Sequence, residues 1–182
     1  MKNVFSTVAS ILVAAASASA LTIPGASTPA FYLVSSSTTA SANLLPLRMA
    51  TGSGNGDPTL TGTGAPAIFY FYQGQLKVYD VAGGNQNPFR PLINTIQTGA
   101  GSCANHGALV FVQGSSTNKC ASYNSFQIQS NNQNSQLGAK LVFNFVGGFF
   151  SCNNGQQVYY KINVNDGPSG CVPIDLNTVA VP

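Results

Sequence analysis

The stretch of residues 140–164, KLVFNFVGGFFSCNNGQQVYYKINV, carries the strongest local signal in the 182-residue chain. Two polar breaks interrupt it, Gly147 with Gly148 and Asn154 with Gly155. These residue types tolerate the positive φ angles that tight hairpin turns require. We therefore expect three antiparallel strands, joined by the two turns as a meander.

The last of these strands alternates between apolar and polar positions as far as Val164. A period of two with one apolar face is typical of a half-buried strand. The alternation places Lys161 on the solvent face. It also predicts the following inward-facing residues in the meander: Leu141, Phe143, Phe145, Val158, Tyr160 and Ile162.

Working outward, short apolar runs alternate with segments rich in Gly, Pro, Ser, Thr and Asn. No run after residue 20 has a helical period, so the fold class is all-β. We expect a single-domain antiparallel β-sandwich or barrel, with a β-trefoil as the alternative because strand–turn–strand units recur. Further strands are predicted at residues 30–34, 44–49, 67–72, 75–81, 108–113, 125–129 and 172–181. Loops or turns are predicted at 35–42, which could carry O-linked sugar, and at 51–66, 83–91 and 130–138.

The first twenty residues have the features of a secretory signal peptide. Lys2 provides a positive start, residues 8–16 are apolar, and Ala18, Ser19 and Ala20 resemble a cleavage site. The apolar run is too short to span a bilayer. We expect a secreted mature domain of residues 21–182, extracellular and free of the membrane.

Charged residues make up only 6% of the chain, against about 25% in an average soluble protein. Without Lys2, six basic residues remain against four Asp, a net charge of +2. This weak, scattered charge argues against a nucleic-acid partner. Uncharged polar side chains must keep the protein soluble, which suits an extracellular environment.

The four cysteines are an even number in a chain predicted to be secreted, which indicates two disulfides. Of the three pairings, we favour the sequential one, Cys103–Cys120 and Cys152–Cys171. Each would close a loop of fewer than about twenty residues and stabilise the fold by roughly 3 kcal/mol. The spacing does not indicate a zinc site, because there is no Cys-x-x-Cys pair and only one histidine.

Catalytic patterns are weak. The single histidine, His106, is predicted to be solvated in a small-residue loop, and no nucleophile elbow accompanies it. The four carboxylates are Asp57, Asp80, Asp166 and Asp175. Two of them precede Pro or Gly as turn formers do, so a glycan hydrolase with paired acids is the least favoured function. We expect a protein that is not an enzyme and has neither a cofactor nor a metal.

Tyrosines provide the best sequence argument for glycan contact, because their rings can stack on sugar faces. Tyr72, Tyr79 and Tyr159 are the candidates, on strands or at strand ends. Asn and Gln side chains could bind the hydroxyls. The competing interpretation is that these tyrosines are ordinary sheet residues, since Tyr is common in strands and the chain has no Trp.

A family resemblance rests on several spaced motifs between residues 67 and 181. They are GQLKVY at 74–79, FQIQ at 126–129, LVF at 141–143, FFSC at 149–152, VYY at 158–160 and GCVPIDL at 170–176. In these motifs the chain resembles the PhiA-like group of fungal cell-wall proteins, which are small secreted proteins. The resemblance implies a non-enzymatic, wall-associated role and brings no catalytic residues with it.

The leading functional hypothesis is therefore a secreted structural protein of the fungal cell wall or extracellular matrix. Its expected partners are cell-wall polysaccharide or glycoprotein. The alternative is a small lectin-like, glycan-binding module or a secreted effector that recognises a host surface.

Overall fold

The computed structural model describes residues 21–50, 55–131 and 137–182; the predicted signal peptide lies outside these ranges. Within them the chain forms strands, two short 3-10 turns (Ala40–Ala42 and Asn153–Gly155) and no α-helix. The strands are β1 (Phe31–Ser36), β2 (Arg48–Met49), β3 (Asn55–Gly56), β4 (Pro58–Thr59), β5 (Ile68–Tyr72), β6 (Gln75–Val78), β7 (Arg90–Gln97), β8 (Cys103–Val112), β9 (Ala121–Ser122), β10 (Phe126–Gln129), β11 (Lys140–Phe143), β12 (Gly148–Cys152), β13 (Gln157–Lys161) and β14 (Val172–Ala180).

The main sheet curls on itself. Its strands follow the order β6-β5-β1-β14-β12-β13-β8-β7-β9, and the pairings between described strands are antiparallel. Near its far end, Phe89, just before β7, exchanges two backbone hydrogen bonds with Val78 of β6, at 2.9 and 3.1 Å. The predicted all-β class is confirmed. The curled sheet corresponds to the sandwich-or-barrel expectation.

The inner face of the curled sheet is filled by aromatic and branched aliphatic side chains. Phe69 of β5 meets Phe111 of β8 edge to face, with ring centroids 5.7 Å apart. Phe143 contacts the rings of Phe126 and Tyr160 at 5.0 and 4.8 Å. One buried cluster thus runs from the first strand to the last, and burying each large apolar side chain contributes about 1.5–3 kcal/mol.

The predicted meander is half correct. β12 and β13 form the expected hairpin, in which Phe149 lies opposite Tyr160. β11 pairs instead with β10 and β14, and β14 also pairs with β12. β11 and β12 therefore follow one another along β14, because the long C-terminal strand offers both of them a partner.

The prediction of inward-facing residues is wrong at the ends of β11 and β13. Leu141, Phe143, Val158 and Tyr160 are buried as predicted, whereas Phe145 is 59% exposed and Ile162 is 40% exposed. The reason is that β11 ends at Phe143 and β13 ends at Lys161, so the period-two alternation stops before these residues. Val164, which continues the predicted apolar face, is exposed as well.

Several predicted loops and strands also need correction. Residues 44–49 contribute only the two-residue strand β2. Residues 55–66, expected to be loop, contain β3 and β4, while 51–54 lie outside the described ranges, as do 132–136 of the predicted turn at 130–138. The sequence does not predict strand β7, because Pro91 and the polar Asn94 and Gln97 interrupt the apolar pattern of a strand.

Both predicted disulfides are present. Cys103 pairs with Cys120 and Cys152 pairs with Cys171, with Cα–Cα distances of 5.4 and 4.2 Å. The first ties the start of β8 to the segment that precedes β9. The second joins the end of β12 to the residue before β14, next to the Ser151–Val172 pair of these neighbouring strands.

Candidate functional site

The three tyrosines predicted to contact glycan are distributed over the fold. Tyr72 ends β5 and is 38% exposed, with its ring beside Gly25. Tyr79 follows β6 and packs on a small second cluster that includes Tyr70. Tyr159 lies on β13 directly opposite Ala108 of β8. The structure therefore does not gather them into one stacking platform, and each would meet a ligand separately.

Three of the four carboxylates have local partners. Asp80 accepts a 2.9 Å hydrogen bond from the Gly83 amide, and Asp166 accepts one of the same length from the Asn163 amide. Asp175 forms a 2.6 Å ion pair with Lys140, on a part of the surface where both side chains are about 40% exposed. The Asp166 contact fits its predicted role as a turn former, whereas the turn contact of Asp80 was not predicted. Asp57 is exposed between β3 and β4.

His106 lies in a strand, and the prediction of a solvated loop is wrong. It belongs to β8 opposite Lys161 of β13, and its ring contacts Gly167, where an added Cβ would be 2.4 Å from an imidazole carbon. The loop of residues 162–171 therefore covers the outer face of the sheet at this point. The sequence predicted a strand only at residues 108–113, whereas β8 begins at Cys103 and therefore includes His106.

Lys161, predicted on the solvent face, is only 2% exposed. Its Nζ donates a 2.6 Å hydrogen bond to the carbonyl of Pro168 and lies 5.2 Å from the centre of the Phe150 ring. The same 162–171 loop covers it, and the Cys152–Cys171 disulfide anchors the end of that loop. The alternation correctly identified the outward face of β13, but it could not show that a loop covers this face.

A concave feature of the described residues lies where part of one edge of β8 has no strand partner. On this edge β13 pairs with residues 106–108, and β3 pairs with residues 111–112. The ladder is therefore interrupted at Leu109 and Val110. The gap opens into a cavity of about 480 Å³ bounded by β8, β13 and residues 57–63, which we name the β8 groove. Its volume falls within the range of about 300–1,000 Å³ typical of ligand sites.

Hydrogen bonds to Asn154 and Gly155 hold in place the wall of the β8 groove that residues 57–63 form. The carbonyl of Gly155 accepts from the Leu60 amide at 2.7 Å and from the Thr59 hydroxyl at 3.0 Å. The Thr61 hydroxyl donates to the Asn154 carbonyl at 2.9 Å. Gly155 has φ +84°, and a Cβ there would lie 2.7 Å from the Thr61 methyl carbon. The predicted turn at Asn154 and Gly155 thus holds the segment 57–63 in place.

The lining of the β8 groove is polar and nearly uncharged. Its floor includes Ala108 and Val110. Asp57 is the only ionisable side chain among the described lining residues, and the other polar side chains are amides and hydroxyls. The exposed polar groups belong to Asp57, Thr61, Thr63, Asn153, Gln156 and Gln157.

A second cavity of about 250 Å³ adjoins the first and shares Asp57 and Val110 with it. It extends over the outer face of β8 toward Leu92 and Asn94 of β7. Because neighbouring strands lie about 4.8 Å apart, the two cavities together cross roughly 10 Å of sheet. Tyr159 lies beside this path, since it is opposite the groove residue Ala108.

The described residues contain no cluster of three or more His, Cys, Asp or Glu side chains able to hold a metal ion. Among the same residues, no helix is long and apolar enough to cross a membrane. Comparison of the chain with protein-family models, with curated proteins and with solved structures gave no match. The functional argument therefore rests on the site itself.

Proposed function

We propose that this chain is a secreted, non-enzymatic protein of the fungal cell wall or extracellular matrix, with a structural role. The observation that carries the proposal is the pair of disulfides in a curled sheet of very low charge. Disulfides are compatible with an oxidising extracellular compartment. A surface with few charges also changes little with external pH and salt.

The arrangement of ionisable groups supports a non-enzymatic role. Asp80 and Asp166 hold turn amides, and Asp175 neutralises Lys140. Hydrolysis of a glycosidic bond uses two carboxyl groups that flank the bond, and the described lining of the β8 groove has one, Asp57. The motif resemblance to PhiA-like wall proteins points in the same direction.

A second candidate is a lectin-like, glycan-binding module, and the β8 groove favours it. A wall protein and a glycan-binding protein are compatible functions, because a structural protein is retained in a wall by contacts with its polymers. In this proposal polysaccharide is the partner and no cofactor takes part.

Fractionation of the producing cells tests the proposed function. The protein should be found in the culture medium and the washed wall fraction, with an N-terminus at or near Leu21. The purified mature protein should sediment with insoluble chitin, β-glucan or mannan and release no soluble sugar. Secreted protein that still begins at Met1, or is retained by neither walls nor isolated polymers, contradicts the proposal.

A further inference from the structure

We propose that the β8 groove is the glycan-binding site of this protein and accepts a neutral oligosaccharide chain. This inference deepens the proposed function and rests on it. The interruption of the β8 ladder at Leu109 and Val110 creates the space, and the fixed wall at Thr59–Gly155 keeps it open.

The lining selects the chemical class of the ligand. A sugar hydroxyl both donates and accepts hydrogen bonds, and the groove offers both kinds of partner. The Asp57 carboxylate accepts, while the Gln157 amide donates and accepts, and both side chains are exposed to a ligand. With one carboxylate and no cation among its described residues, the groove disfavours phosphates, sulfated chains and uronic acids.

The shape of the site favours a chain over a compact ligand. The adjoining cavity continues from Asp57 and Val110 toward Asn94, so a ligand that leaves the first cavity can follow the outer face of β8. Tyr159 lies beside Ala108 at this path, where its ring can pack against a sugar face. Of the three tyrosines predicted from the sequence, we assign this role to Tyr159 alone.

The hydrogen-bond contributions can be tested with matched glutamine variants. Gln157 and Gln127 are both exposed and both lie in strands, but only Gln157 lines the groove. Short soluble oligomers of chitin, β-glucan and mannan serve as ligands in calorimetric titrations. For the oligomer that binds, Gln157→Ala and Asp57→Ala should each weaken the Kd about tenfold, whereas Gln127→Ala should leave it unchanged. Thermal melts check that each variant folds as the wild type does.

A second measurement does not depend on variants. When the binding oligomer is added to the wild-type protein, amide chemical shifts should change most at Ala108, Leu109 and Val110. A polygalacturonate oligomer should cause no such change, because the Asp57 carboxylate repels its acidic groups.

The outcomes separate the two proposals. Retention of the wild type on polysaccharide, with equal retention of both groove variants or with shift changes away from β8, overturns the groove assignment and leaves the proposed function standing. Failure of every neutral polymer and oligomer to bind the wild type overturns the groove assignment, and it overturns the proposed function as well only when washed walls also fail to retain the protein.

Discussion

The Nζ atom of Lys161 donates a 2.6 Å hydrogen bond to the backbone carbonyl of Pro168, and this contact joins β13 to the loop that covers it. The lysine is 2% exposed, so its aliphatic stem is packed as a core side chain would be. Its ammonium group also faces the ring of Phe150 at 5.2 Å. A buried charge of this kind is stabilising only while its partners remain in place.

We therefore expect Lys161→Ala to lower the free energy of unfolding by about 2 kcal/mol, because it removes the packed stem and the donor to Pro168. Lys161→Met keeps most of the stem and should cost less. The exposed Lys119 provides the control, and Lys119→Ala should change stability by less than about 0.5 kcal/mol. Urea denaturation of the three variants measures the differences. Equal stability of Lys161→Ala and Lys119→Ala would show that the covering loop does not depend on this contact.

The two phenylalanines that flank Asn144 should behave very differently, although the sequence alternation gives them the same face. Phe143 is 6% exposed and contacts two aromatic rings, whereas Phe145 is 59% exposed. Phe143→Ala should cost roughly 3–5 kcal/mol, since it removes a buried ring and leaves a cavity. Phe145→Ala should cost less than about 0.5 kcal/mol. Denaturant melts compare the two, and a larger effect at Phe145 would contradict the position at which β11 ends.

This pair also shows how far the sequence can be interpreted. Local signals, such as the turn at Asn154 and Gly155 and the alternation from Val158 to Tyr160, predicted the hairpin of β12 and β13 correctly. Neither signal reports which distant strand supplies a partner. β11 pairs with Leu176 and Asn177 of β14, more than thirty positions away along the chain, so the meander could not be corrected from local patterns.

Local sequence patterns do not predict the β8 groove for a similar reason. Asp57 and Thr61 belong to a segment rich in Gly, Thr and Pro, which local composition assigns to a loop. The segment becomes one wall of the groove only because Gly155, almost a hundred residues later, accepts its hydrogen bonds. The even number of cysteines predicted two disulfides, and the sequential pairing favoured from the sequence is the one that the structure contains.

The two disulfides should differ in their sensitivity to reduction. Cys103 is exposed, whereas Cys152, at the end of β12, is 2% exposed. Because reduction requires access of a thiolate to sulfur, mild reductant should open Cys103–Cys120 first. Alkylation followed by mass mapping at increasing times measures the order. Earlier labelling of Cys152 and Cys171 would mean that the 162–171 loop opens more readily than the contacts of Lys161 imply.

Alkaline pH should destabilise the fold through Tyr160. Burial raises the pKa of this phenol above its usual value of 10.0, and its hydroxyl donates to the Val146 carbonyl. The unfolded chain therefore loses its proton at a lower pH than the folded protein does. The contribution of Tyr160 to the free energy of unfolding is therefore complete below about pH 10, and it is lost as the pH rises through the pKa of Tyr160 in the folded protein. Unfolding midpoints between pH 8 and 11 should fall less steeply for Tyr160→Phe than for the wild type, and an equal slope for both would contradict this role of Tyr160.

The neighbouring glycines of the β11–β12 connection should respond in opposite ways to the same substitution. Gly147 has φ +70°, and a Cβ there would lie 2.2 Å from the carbonyl oxygen of Lys161. Gly148 begins β12, does not have a positive φ, and has no atom within 4 Å of a built Cβ.

Gly147→Ala should therefore destabilise the protein by more than about 1 kcal/mol, because both the backbone conformation and the contact with Lys161 must change. Gly148→Ala should be neutral or stabilising by up to about 1 kcal/mol, since alanine restricts the unfolded chain at no cost to the fold. Thermal and urea melts of the two single variants measure this difference directly. If Gly148→Ala were the more harmful change, Gly148 rather than Gly147 would make the turn against β13, and the start of β12 would have to be moved.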